Sequence, residues 1–192
     1  MQPPAIPRLN ALALTKIRNA TARYHQDGDT ERWEQSVAKT LAKAHQAAYL
    51  LGVAERLGVP VGSSLLNARN LSRAERDELK GIVQTQVDFL ARFVDVADDL
   101  SEAAISARAD LYALAPKQTY WTGWAGEDLE CTPGSCPDCL SNCRCSLERK
   151  EDGIHWICAE DDRSCGGCLE RANTWPLADE ADQSQQLVTE EA

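Results

Sequence analysis

All eight cysteines of this chain lie in its last third, at Cys131, Cys136, Cys139, Cys143, Cys145, Cys158, Cys165 and Cys168. Two C-x-x-C steps, Cys136/Cys139 and Cys165/Cys168, stand out among them. Such a turn holds two thiolates about one edge of a tetrahedral zinc site apart, with the intervening amides free to point at the sulfurs. Those two turns could close one four-thiolate site, and the other four cysteines a second, with His155 able to replace one thiolate. The expectation is a pair of structural zinc ions held by the eight cysteines.

The residues between Cys131 and Trp175 include few aliphatics, so this segment cannot fold by hydrophobic burial alone and needs staples. Disulfides would serve equally well in physical terms, so the choice turns on compartment. The start, MQPPAIPRLNALALTKIRNA, places Pro3, Pro4 and Pro7 first and has no basic leading region, so it does not read as a signal peptide. A reducing cytoplasm is then expected, where clustered cysteines favour metal over disulfides. No thioredoxin-like βαβ pattern surrounds either C-x-x-C, which counts against a redox motif of that kind.

Catalytic zinc would need an open coordination position, and such sites usually mix histidine and carboxylate with other ligands. The chain has three histidines. His25 and His45 fall in helical segments far upstream, where a surface or helix-end role is expected. There is no HExxH, no deaminase signature, no phosphate-binding loop, no G-x-S-x-G elbow and no dinucleotide turn. The chain is therefore read as a protein that is not an enzyme.

Charge narrows the choice of partner. Residues 127–192 carry sixteen Asp/Glu against five Lys/Arg, a net of −11, which leaves +1 for residues 1–126 out of a total of −10. A zinc module that grips nucleic acid should be basic, because phosphate neutralisation supplies most of its affinity. Nucleic acid is thus unlikely as a direct specific ligand. No run of about 18 apolar residues is present, so no membrane span is expected.

Upstream, apolar residues recur at three- and four-residue steps. Trp33, Val37, Leu41, Ala44, Ala48 and Leu51 mark one helix, with Asp29-Thr30 as its N-cap region and Gly58 as its stop. Ser72 to Glu75 fits a capping box ahead of a stripe at Leu79, Ile82, Val83, Val87, Leu90, Phe93, Val94 and Ala97, read as core-facing. A further helix runs from Ser101 to a stop at Pro116. The fold class is therefore mainly α: a helical body over 1–115, then a small cysteine-rich, zinc-stapled module with little regular structure over 131–176. Residues 116–130, with Tyr120, Trp121 and Trp124, read as an aromatic connector, a wedge between helices and module in preference to a base-stacking platform. The acidic residues 177–192 read as a disordered tail.

One resemblance gives these features a context. ARADLYALA (107–115), the tryptophan-bearing stretch, the C-x-D-C of Cys136 to Cys139 and NCRCSLE (142–148) resemble the C-terminal part of minor head, or head morphogenesis, proteins of tailed bacteriophages. IHWICAEDDRSCGGCLERANTWP (154–176) is similar to that family's tryptophan strand, C-x-x-C-L and closing Trp-Pro, although here it follows the N-C-R-C stretch instead of preceding it. The resemblance covers about residues 100–176. It implies a non-enzymatic bacteriophage virion component, made in the host cytoplasm, that contacts a capsid or portal protein during head assembly. The runner-up from the residues alone is a zinc-dependent regulatory or nucleic-acid-binding module.

Overall fold

The computed structural model describes residues 5–60, 71–94, 101–126, 131–134, 143–158 and 164–174. The chain is mainly helical and divides into two compact units, Gln2–Thr132 and Pro133–Ala192. The first unit contains α1 (Ala5–Asp27), α2 (Thr30–Leu57), α3 (Arg73–Val94), α4 (Glu102–Leu114) and α5 (Pro116–Ala125). The second contains β1 (Ser146–Lys150), β2 (Gly153–Ile157) and α6 (Gly166–Thr174).

Helices α1 and α2 pair through complementary stripes. Ala13, Ile17, Ala20 and Tyr24 of α1 meet Trp33, Val37, Leu41 and Ala44 of α2, and Tyr112 and Ala113 of α4 complete the cluster. The three- and four-residue spacing puts each set on one helical face. The sharp turn between the two helices uses Gly28 at φ 69°, a conformation costly for any other common residue. Asp29 then caps α2 by accepting from the Arg32 amide at 2.9 Å. At the far end Gly58 adopts the left-handed conformation, and the Val59 amide reaches the Ala54 carbonyl at 3.0 Å in a Schellman closure.

The segment read as an aromatic connector is instead a core helix. Helix α5 packs along α2, with Thr119, Tyr120, Trp121 and Ala125 each almost wholly buried. Two glycines permit this approach. A Cβ at Gly52 would lie 2.1 Å from the Tyr120 carbonyl oxygen, and one at Gly123 would lie 2.3 Å from that of Tyr49. The helix escapes detection because Pro116, two threonines and a glycine lower its propensity, and because burial on nearly every side erases the 3.6-residue period.

Helix α3 begins with the expected capping box. The Ser72 amide donates to Glu75 Oε2 at 2.8 Å, and the Glu75 amide to Ser72 Oγ at 3.1 Å. Arg56 Nη2 donates to Glu75 Oε1 at 3.2 Å, tying α2 to the start of α3. In the described part of the stripe read as core-facing, Leu79, Ile82 and Val83 are half-buried. Helix α3 leans on α2 at its N-terminal end, where Leu79 joins Leu71, Tyr49 and Val53. The side chains of Val87, Leu90, Phe93 and Val94, and Ala97 as a whole, lie outside the described residues.

In the second unit β1 and β2 form an antiparallel hairpin in register Ser146↔Ile157 through Lys150↔Gly153. Side chains alternate across it, so Leu147, Ile154 and Trp156 share its buried face while Glu148 and Lys150 are exposed. Helix α6 packs on β2 and sets the Arg171 guanidinium 5.3 Å from the Trp156 ring centroid. The described part of the module thus contains regular elements that its low aliphatic content does not announce. The predicted 177–192 tail lies outside the described residues.

Candidate metal centre

The hairpin and α6 bring cysteines from two separate stretches together. Cys143 and Cys145 stand two residues apart just before β1, a spacing that sends both side chains to the same side of an extended chain. Cys168 sits in the first turn of α6, where its amide and that of Leu169 both donate to the Cys165 carbonyl at 3.1 Å. The sulfurs of Cys143, Cys145 and Cys168 all lie within 4.8 Å of one another, and all three residues are buried. Zinc–sulfur bonds of about 2.3 Å give a tetrahedral edge of about 3.8 Å, so a small inward movement would seat an ion.

Two further thiols border the trio. Cys165 hydrogen-bonds to Cys168, and Cys158 Sγ lies 3.7 Å from Cys145 Sγ. Both are half-buried. Five of the eight predicted ligands therefore gather at one end of the hairpin. Cys136 and Cys139 lie outside the described residues, and Cys131 belongs to the helical unit.

Without a cation this packing disfavours ionisation. The hydrogen bond with Cys143 and then burial push the Cys145 thiol well above its usual range, while Trp156 and Cys168 act the other way. For Cys168, burial is the largest cause of an upward shift, followed by its hydrogen bonds with Cys165 and Cys145. A divalent cation reverses this logic, because a coordinating thiol gives up its proton. Position helps too: the first turn of a helix favours negative charge, and Cys168 occupies one.

The donor set fits a closed, structural site. Soft thiolates suit zinc, and the buried trio includes no carboxylate or histidine of the kind catalytic zinc sites often use. His155, considered as a substitute ligand, does not join the cluster. Its Nε2 instead meets Asp152 Oδ1 at 2.8 Å near the hairpin turn, because β-strand alternation directs it to the face opposite Trp156. Trp156 is a wall of the site that spacing arguments about cysteines pass over; its local signal is the two-residue alternation with Ile154.

The upstream histidines divide. His25 is exposed in the last turn of α1, as expected. His45 is not at a surface or helix end: it is fully buried in the middle of α2, with Nδ1 2.5 Å from Thr119 Oγ1. Burial pushes its imidazole down from 6.5 to about 4, so it is neutral at neutral pH.

Among the described residues, no helix is long and apolar enough to cross a membrane. No protein-family model, curated protein or solved structure matches the chain.

Proposed function

We propose that the C-terminal unit is a structural zinc module and that the chain works by docking on other proteins, as a non-enzymatic virion or head-assembly component. The observation that carries the zinc reading is the mutual proximity of the buried Cys143, Cys145 and Cys168 thiols, drawn from two separated stretches. A shared ligand gives three buried thiols, with two more at their border, a common purpose in a unit so poor in aliphatics. The ion would be rigid scaffolding: it would lock the hairpin to α6 and leave the faces of both for a partner.

The docking reading rests on the resemblance of NCRCSLE and the following tryptophan strand to head morphogenesis proteins, together with the acidity of residues 127–192. That net charge of −11 opposes phosphate, which makes a capsid or portal protein a better partner than nucleic acid. The second zinc ion that eight cysteines suggest would draw on Cys136 and Cys139.

Elemental analysis of purified chain, combined with co-sedimentation against assembled phage heads, tests both halves. Zinc at one ion per chain or more, and retention on heads that is lost when Cys143 and Cys168 are changed, is the expected result. Metal-free protein with its cysteines paired as disulfides would end the zinc reading. Nanomolar binding to duplex DNA that falls steeply with salt would replace the docking reading with the regulatory one.

A further inference from the structure

Among the described residues, five thiols border a centre that offers four coordination positions. Cys143, Cys145 and Cys168 form its buried part, with Cys165 beside Cys168 and Cys158 beside Cys145. Cys165 is the natural fourth ligand. It stands three residues before Cys168, and two amides of the first α6 turn fix its carbonyl, so the helix holds both thiols as one C-x-x-C pair. Cys158 is left over, and its neighbour is a ligand.

Its placement has a chemical meaning. The β1–β2 register ends at Ser146↔Ile157, and one further step sets Cys145 opposite Cys158. Residues directly opposite on antiparallel strands have Cα atoms about 4.5–5.5 Å apart, inside the range a disulfide spans. The sulfurs are already 3.7 Å apart. Cys158 is half-buried whereas Cys145 is only 4% exposed, so solvent reaches the former first.

The geometry points to Cys145 and Cys158 as a redox-modification site: a dithiol that takes up a hydroperoxide-class oxidant, closes a cross-strand disulfide and withdraws Cys145 from the metal. The Cys158 thiolate attacks one peroxide oxygen, breaking the O–O bond to give a sulfenic acid and hydroxide. The Cys145 thiolate then attacks the Cys158 sulfur, forming the S–S bond and expelling the second hydroxide. Two thiols lose two electrons in total and the peroxide becomes two waters. Loss of one of four ligands frees the ion. The disulfide follows from the hairpin alone, while the metal release rests on the zinc reading proposed above.

The test treats zinc-loaded full-length chain with hydrogen peroxide, maps disulfides by non-reducing peptide mass spectrometry and follows freed zinc with a chromogenic chelator. The expected result is a Cys145–Cys158 bond and one zinc freed per bond, both reversed by dithiothreitol and added zinc. Cys158→Ser should keep the ion at this centre and release it about tenfold more slowly under peroxide, because the thiol that the peroxide oxidises first is gone. A different pairing such as Cys165–Cys168, or no bond in wild-type chain, would overturn the proposal. So would a Cys158→Ser chain that loses zinc, since Cys158 would then be a ligand. A wild-type chain that takes up no zinc when zinc is supplied, yet still forms the Cys145–Cys158 bond, would sink the zinc reading and leave the modification site standing.

Discussion

The helical unit and the cysteine unit solve the same problem by opposite means. In the helical unit order is distributed: a stripe against a stripe in α1 and α2, a buried α5 fitted against two glycines, a Schellman end and a capping box each add a small amount. Among the described residues of the cysteine unit, the buried apolar side chains of the hairpin are Leu147, Ile154 and Trp156, and the thiols of Cys143, Cys145 and Cys168 are buried too. Size explains the difference, since a small unit exposes proportionally more surface and cannot bury enough of it. Distributed order loses a part when one contact is removed. Concentrated order loses the whole.

Removing the metal is the severest way to break this comparison. A thiolate zinc site contributes roughly 10 kcal/mol or more to folding, which exceeds what three apolar side chains can replace. A strong chelator, or Cys168→Ser, should therefore abolish amide-exchange protection across residues 143–174. Helical circular dichroism should change little, because five of the six helices among the described residues belong to the other unit. Hydrogen exchange read by mass spectrometry would separate the two units. Equal loss of protection in both would mean that they do not fold independently.

The next test strikes the helical unit where it is most tightly fitted. Gly52→Ala would place a methyl group 2.1 Å from the Tyr120 carbonyl oxygen and 2.6 Å from the Trp124 amide nitrogen. Backbone atoms cannot rotate away as a side-chain tip can, so α5 must shift as a body. The expected loss exceeds the usual overpacking range of about 1–3 kcal/mol. Zinc content should stay at its wild-type value. Thermal unfolding of the variant against Gly81→Ala, whose added Cβ meets nothing within 4 Å, isolates the clash from the change in helix propensity.

These two units were not equally legible in the sequence. The helix signals of the first were plain, because Asp29, Gly58, Ser72, Glu75 and Ser101 act on backbone groups within a few residues of themselves. Helix α5 was hidden, since a helix buried on nearly every side shows no polar face to set its period against. His45 was misplaced for the same reason: its burial depends on Thr119, 74 residues away. In the second unit the candidate metal-ligating residue type was obvious from spacing. Which thiols meet was not, because the pairing of Cys143 and Cys145 with Cys168 depends on the hairpin between them, and the hairpin's signal is only five residues per strand.

The last prediction uses His45 to sharpen the contrast, since acid should weaken the helical unit through one residue that has no counterpart in the cysteine unit. Burial holds the folded imidazole at about 4, against 6.5 for the exposed group. Between those values the unfolded chain binds the proton and the folded chain does not, so falling pH favours unfolding. The stabilisation is complete above about pH 6.5, declines as pH drops below it and is fully lost near pH 4. The total is about 3 kcal/mol, at 1.36 kcal/mol per pH unit. Acid would also protonate metal-bound thiolates and release a bound ion, so the reading must come from helical circular dichroism, which the cysteine unit scarcely affects. Denaturant unfolding of wild type and His45→Asn should show the wild-type advantage shrinking as pH falls from 7 toward 4.5. If the two chains keep a constant difference across that range, the imidazole takes up its proton as readily in the fold as in the unfolded chain, and the neutral, buried His45 is wrong.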